Sequence, residues 1–377
     1  MKNKINTANP FFFKKDIDFI LNKSKKILQG KENLSMGKYV KLFESTFSNF
    51  NNSKYSIATS SGTSALEIIL RSIGVKSNDQ VIIPSHTFIA TASSVMSLGA
   101  KPIFCEINDN YLIDFNDLKR RINNKTKAVI IVHFGGLIHQ EIFSIKKYLS
   151  QKNIFLIEDA SHAHGASINK IKSGNLSDAA AFSFFSTKIV TTGEGGIITT
   201  NNKKIFQKCA SIRSRGIDIK KKKEIYSELG SNFRMTEIQA LMGITQINNL
   251  NKFVNHRLKI AKIYDNFLNS AIKRKKIRLL EIQKNIINPR WKYTVFLLQN
   301  QNRRIIKNKM GKKFISIDWA YDPFVHLQPV MKKFYNNKKG MLKFSENLSK
   351  SHINLPIHYG INEKVAKFII KNFLKFI

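Results

Sequence analysis

The sequence predicts an α/β protein: a large domain with a mostly parallel central sheet covered by helices, then a smaller C-terminal α+β domain. Three observations predict it. From Phe43 to about Thr200, short apolar runs alternate with stretches of helical periodicity, the order expected of βα units. The runs are apolar throughout rather than at every second residue, as strands covered on both faces must be. Beyond the helix that opens at Thr236 this alternation stops. The expected division is therefore an N-terminal arm and helix over 1–30, a large domain over 31–254 and a small domain over 255–377.

At the N-terminus, Ile17, Ile20 and Leu21 form one apolar stripe, and the helix they imply ends near Gly30. The strand candidates are Val81-Ile82-Ile83, Pro102-Ile103-Phe104, Ala128 to Val132, Ile154 to Ile157, Ala179 to Phe182 and Gly196 to Thr199. The segment ending at Ile157 is too short, and too rich in β-branched and aromatic residues, for a helix. Thr236 and Gln239 have the spacing of a capping box, opening a long helix with Ile238, Leu241, Met242, Ile247, Leu250 and Phe253 as its apolar positions. A Val295 to Leu298 strand and a closing amphipathic helix complete the small domain.

Three places along this frame carry chemistry. After Tyr55-Ser56-Ile57-Ala58-Thr59, Ser60-Ser61-Gly62-Thr63-Ser64-Ala65 leads into a helix with Leu66, Ile69, Leu70 and Ile73 on one face and Gly74 as its stop. Free N–H groups and the positive end of the helix dipole make such a turn a seat for phosphate, although a plain N-cap is the commoner use of a Ser/Thr-rich turn. The spacing and terminal lysine of a P-loop are absent. Next, the strand Ile154 to Ile157 ends in Glu158-Asp159-Ala160-Ser161-His162. An acid at the carboxyl end of a parallel strand stands where open α/β sheets bind ligands; a cap for the following turn is an equal alternative. Finally, Lys188 follows the almost charge-free Ala179 to Phe185 and precedes Gly193-Glu194-Gly195-Gly196. A lysine amine desolvated there loses its proton more readily and can form a Schiff base with an aldehyde.

Phosphate seat, acid and lysine, in that order, resemble the fold-type I enzymes of pyridoxal 5'-phosphate. More closely, the chain resembles the sugar aminotransferases of the DegT/DnrJ/EryC1/StrS family. Further matching text includes Pro84-Ser85-His86-Thr87-Phe88-Ile89-Ala90-Thr91, His164-Gly165-Ala166, Phe182-Ser183-Phe184 and Asn232-Phe233-Arg234-Met235-Thr236-Glu237, with a weaker return at His326-Leu327-Gln328-Pro329. The resemblance implies Lys188 as the lysine that bears the cofactor, Asp159 as partner of the pyridinium nitrogen and His162 as neighbour of the ring hydroxyl. It implies Phe88 against the ring, and Gly62, Thr63, Ser64 and Ser183 on the phosphate, joined by Asn232 from the other subunit of a homodimer. Arg215, where a histidine is common, and Tyr321 and His326 are expected to meet the substrate. The activity implied is transfer of an amino group from an amino acid, L-glutamate, to a nucleotide-linked ketosugar, in amino-sugar biosynthesis for surface polysaccharide. A dehydratase branch of the family has histidine in place of the lysine, and Lys188 argues against it.

Charge points elsewhere and is outweighed. With 63 Lys and Arg against 25 Asp and Glu, the net charge is +38, a value that would ordinarily direct attention to nucleic acid or an anionic membrane. The excess is spread along the chain together with Asn and Ile, and the clusters Lys220-Lys221-Lys222-Lys223 and Lys273-Arg274-Lys275-Lys276 lack interleaved aromatics for stacking bases. No nucleic-acid or membrane partner is expected, although the field would draw in an anionic nucleotide-sugar. Cys105 and Cys209 offer neither a disulfide framework nor a metal-binding spacing. Phe11-Phe12-Phe13 is too short for a signal segment, so a cytoplasmic protein without a bound metal is expected.

Overall fold

The computed structural model describes residues 4–218, 221, 224–298 and 301–377. Lys220, Lys222 and Lys223 of the first basic cluster lie outside the described residues. The second cluster is the solvated end of a helix, as its sequence implies.

The large domain is built on β1 (Tyr55–Thr59), β2 (Gln80–Pro84), β3 (Lys101–Cys105), β4 (Thr126–Val132), β5 (Phe155–Asp159), a small hairpin of β6 (Ser167–Ile168) and β7 (Ile171–Lys172), β8 (Ala179–Ser183) and β9 (Gly196–Thr200). Seven of these form one sheet in the order β1-β9-β8-β5-β4-β2-β3, in which β9 alone runs against the others. Its helices are α1 (Lys14–Leu28), α2 (Lys38–Asn51), α3 (Gly62–Ser72), α4 (Ile89–Met96), α5 (Phe115–Arg121), α6 (Ile142–Ser150), α7 (Lys203–Arg213) and α8 (Glu237–Asn248). All the predicted strands are present.

Side-chain alternation on β8 and beyond explains how the sheet presents its chemistry. Phe182 and Phe184 point to one face, where they meet Phe47 and Phe43 of α2 edge to face at 5.0 and 5.2 Å, a geometry worth about 0.5–1.5 kcal/mol per pair beyond the buried area. Ser183 and Phe185 therefore turn to the opposite face. On β5 the same rule separates neighbours. Glu158 is fully buried, accepting from His133 Nε2 at 2.8 Å, from the amides of Gly174 and Leu176 and from Ser177 Oγ, while Asp159 faces α4.

After α9 (Leu250–Lys273), the chain makes a three-stranded antiparallel sheet from β10 (Ile277–Leu279), β12 (Tyr293–Leu297) and β13 (His352–Leu355), with α10 (Arg303–Gly311), α11 (Pro329–Tyr335), α12 (Lys343–Leu348) and α13 (Glu363–Phe376). The closing helix buries Ala366, Ile369, Ile370 and Phe373 on one face. Between β10 and β12, β11 (Ile286–Ile287) returns to pair with β6 of the large domain. The expected boundary at 254 falls inside α9.

Two helical expectations change. The helix opening with the Thr236–Gln239 capping box ends at Asn248, and α9 restarts at Leu250. The side-chain amide of Asn249 donates to Asp16 and to the Thr245 carbonyl, which ties the junction to α1. Of the Ile17, Ile20 and Leu21 stripe, Ile17 and Leu21 are exposed while Ile20 packs, partly buried, against the core, and α1 fully buries Asp16 and Ile27. Both cysteines are buried and free. Among the described residues no helix is long and apolar enough to cross a membrane, and no cluster of metal-ligating side chains is found.

Candidate active site

A cavity of about 360 Å³ lies at the carboxyl ends of the parallel strands, lined among others by Gly62, Thr63, Phe88, Asp159, His162, Ser183, Lys188, Trp291 and Tyr321. It has the place that strand-end chemistry requires.

Its phosphate-sized corner is the start of α3. Ser61 caps the helix by accepting from the Ser64 amide at 3.1 Å, and Ser64 Oγ in return accepts from the Ser61 amide at 2.9 Å. Gly62 and Thr63 are the first helical residues, whose amides have no acceptor within the helix. A Cβ on Gly62 would sit 2.8 Å from Ser183 Cβ, so glycine is what lets β8 press its Ser183 hydroxyl against the helix start. The glycine cluster serves the same packing: a Cβ on Gly196 would sit 2.2 Å from the Ser61 carbonyl oxygen.

At the far side, Asp159 Oδ2 accepts from Thr91 Oγ1 at 2.9 Å and Oδ1 from the Ser161 amide at 3.2 Å. Thr91 has spent its only hydroxyl proton there, so Thr87, 2.7 Å from Thr91 Oγ1, is the donor in that pair. Lys188 sits on the loop after β8, its amine 4.8 Å from the centre of the Trp291 ring. Burial, opposed by Asp159 and reinforced by Lys292, lowers the pKa of this amine to about 8. The ring of His162 lies flat on Trp291, centres 3.6 Å apart, and its Nε2 is 3.0 Å from the Tyr321 hydroxyl. Burial and then the positive charge of Lys188 and Lys292 hold His162 well below the usual imidazole range.

The sequence-predicted residues divide accordingly. Lys188, Asp159, Gly62, Thr63, Phe88, His162, Ser183 and Tyr321 share the cavity. Ser64 does not line it, because its hydroxyl and amide are both engaged in the helix cap. His326 is 1% exposed, bound to Glu346 Oε1 at 3.2 Å, and does not line the cavity. Arg215 is exposed beside Glu224 and Tyr226, away from this chain's cavity. Asn232 is also exposed and outside it. Sequence reasoning missed Trp291, whose Nε1 donates to the Thr187 carbonyl at 2.9 Å and so steadies the lysine loop. Its only signal was rarity, as one of two tryptophans. Sequence reasoning also missed Thr91, on α4, whose hydroxyl joins Asp159 to Thr87 just before the helix.

These residues fit pyridoxal phosphate. Phe88, an apolar ring left 55% exposed, borders the cavity, where a flat aromatic ligand would cover it. The backbone of Gly62 and Thr63, the Asp159 carboxylate and the Lys188 amine all line the same cavity.

A profile of the DegT/DnrJ/EryC1/StrS aminotransferase family matches residues 15–374. GDP-perosamine synthase of Escherichia coli O157:H7 is 30% identical over 344 residues, 91% of each chain. Among solved structures, Helicobacter pylori PseC, an aminotransferase involved in the biosynthesis of pseudoaminic acid, superposes with a TM-score of 0.91 over 99% of both chains at 26% identity. NtdA of Bacillus subtilis with bound pyridoxamine phosphate superposes with a TM-score of 0.88 at 25% identity, covering all of this chain and 86% of that one.

Proposed function

The chain belongs to the DegT/DnrJ/EryC1/StrS aminotransferase family and is a pyridoxal phosphate enzyme, and from that premise we propose that it moves the amino group of L-glutamate to the keto carbon of a nucleotide-linked sugar. The observation that carries the proposal is the meeting of Lys188, Asp159 and the free amides of Gly62 and Thr63 in one cavity. The names of the relatives support the substrate class, since one makes GDP-perosamine and another acts on the way to pseudoaminic acid.

When bound, pyridoxal phosphate supplies an aldehyde that takes up the amino group and a ring that accepts electrons from the carbon losing its proton. The protein's residues supply the rest. The amides of Gly62 and Thr63 and the hydroxyl of Ser183 hold the phosphate at the positive end of α3. Asp159, fixed by Thr91 and Ser161, places negative charge where the pyridine nitrogen would keep its proton. Phe88 covers one face of the ring. Lys188, with its pKa near 8, is uncharged in a useful fraction of molecules near neutral pH. It takes the proton from the α carbon of the donor and, on the way back, delivers one to the sugar carbon that has received nitrogen.

Asn232 completes the proposal as a phosphate ligand for the neighbouring subunit of a homodimer. Its exposure outside its own chain's cavity supports that role, as do the exposed side chains of Leu21, Leu28, Leu34 and Met36 along α1 and the segment before α2. Arg215, also outside its own cavity, is assigned to the same shared edge. The dehydratase reading is disfavoured by Lys188 itself.

The test is a half-reaction screen. The aminated cofactor form is mixed with a panel of nucleotide-ketosugars, and return of the visible absorbance is followed. One ketosugar should restore the band rapidly; if L-glutamate fails to remove it and no sugar restores it, the proposal falls.

A further inference from the structure

One residue of the wall around the active-site cavity, Ala320, is held by two buried imidazoles. The amide of Ala320 donates to His352 Nε2 at 2.9 Å, and the carbonyl of Ala320 lies 3.3 Å from His86 Nε2. His86 follows β2 in the large domain and His352 opens β13 in the small one, so the two domains each hold one of the two peptide groups that flank Ala320. The next residue is Tyr321, held at φ 59°. Its hydroxyl meets His162, and its side chain borders both the cofactor cavity and an adjoining groove of about 470 Å³ lined by Trp319, Asp322 and Gln328.

The hydrogen-bond network fixes both tautomers. A backbone amide can only donate, so His352 Nε2 accepts and its proton is on Nδ1. Nδ1 then donates to the Tyr111 hydroxyl at 3.1 Å, which passes its own proton to the Leu348 carbonyl at 2.5 Å. A carbonyl can only accept, so His86 carries its proton on Nε2, leaving Nδ1 without a partner. Burial pushes the pKa of His86 down to about 3 and that of His352 far below the ordinary imidazole range, so each keeps one proton and one role. Burying two imidazoles among Tyr111, Phe134 and Phe324 is less favourable than filling the space with apolar side chains. What the imidazoles provide is a fixed orientation for the two peptide groups that flank Ala320.

We propose that His86 and His352 are positioning residues, which act through the backbone N–H and C=O of Ala320 to set the Tyr321 hydroxyl against His162 and thereby shape the wall met by the sugar acceptor. This rests on the aminotransferase reading above, with the sugar entering along the adjoining groove.

The experiment compares His352→Leu, His352→Gln and Tyr321→Phe, singly and in combination, in the two half-reactions. Leucine removes the acceptor for Ala320; glutamine can keep an oxygen near the place of Nε2. Loss of one buried hydrogen bond should slow the sugar half-reaction about tenfold in His352→Leu, leave the amino-acid half-reaction nearly unchanged, and be largely restored in His352→Gln. On the Tyr321→Phe background, His352→Leu should have no further effect. Additive losses would overturn the proposal. Nitrogen NMR of histidine-labelled, cofactor-free wild type gives a second readout: His352 should be unprotonated at Nε2 and His86 at Nδ1 from about pH 6 to about pH 9. The opposite tautomers, or titration in that range, would overturn it even if the variants fail to fold. If wild type performs neither half-reaction, the aminotransferase reading fails, while the NMR result still decides the clamp.

Discussion

Trp291 lies flat on His162, their ring centres 3.6 Å apart and their planes 8° from parallel. The tryptophan comes from the stretch between β11 and β12, and its Nε1 also holds the loop of Lys188 through the Thr187 carbonyl. One side chain therefore supports both the histidine and the lysine of the site. Trp291→Ala should weaken cofactor binding about tenfold, from loss of the stack and of the loop contact. Trp291→Phe should recover part of the loss, because it keeps a ring but no N–H. Titration of the cofactor-free protein, followed by absorbance, measures both.

Lys188 makes stability depend on pH in a definite direction. Burial lowers its pKa from 10.5 to about 8, so between those values the unfolded chain binds the extra proton and stability of the cofactor-free protein rises with pH. Below about pH 8 both states are protonated and the fold bears the whole cost of burying the ammonium. Lys188→Met should therefore be the more stable protein at about pH 7, by about 1–3 kcal/mol, and the gap should close toward about pH 10. Denaturant melts of both proteins across this range check the sign. A gap that widens with pH would contradict the burial of the amine.

Asp159 and Thr91 should separate in magnitude. Asp159→Asn removes the charge proposed to face the pyridine nitrogen, an effect of about 3–5 kcal/mol for one member of a buried charged pair, and turnover should fall by orders of magnitude. Thr91→Val removes only one hydrogen bond to the carboxylate and should cost about tenfold. Single-turnover rates with L-glutamate give the comparison; near-normal rates in Asp159→Asn would make the residue structural.

What was legible in the sequence was local. Strands covered on both faces gave apolar runs, the turn before α3 had its cap chemistry within four residues, and Asp159 and Lys188 followed strand-like text. Contacts across the chain were not legible. The Tyr321 hydroxyl meets a histidine 159 residues away, and the break between α8 and α9 coincides with an Asn249 contact to Asp16, 233 residues distant. Ser64 and His326 show a further limit: both belong to motifs read as binding text, and in the structure one completes a helix cap and the other pairs with Glu346. Residue type and order do not say which way a polar side chain turns.

Asn232 gives the assembly prediction. If it serves the neighbouring subunit, mixing Lys188→Ala chains with Asn232→Ala chains creates dimers with one doubly damaged site and one intact site. Activity should return to roughly a quarter of wild type under random exchange, with half the dimers mixed and one working site in each. No return despite proven exchange would place Asn232 in its own chain's site.

The central claim is that Lys188 is the amine that carries the cofactor. Borohydride converts an aldehyde joined to a lysine into a stable secondary amine, so reduction of the cofactor-loaded protein followed by peptide mapping finds the attachment point directly. The account predicts the cofactor mass on the peptide containing Lys188 and its loss in Lys188→Ala; a label on Lys292 or any other lysine, with Lys188 unmodified, would contradict it.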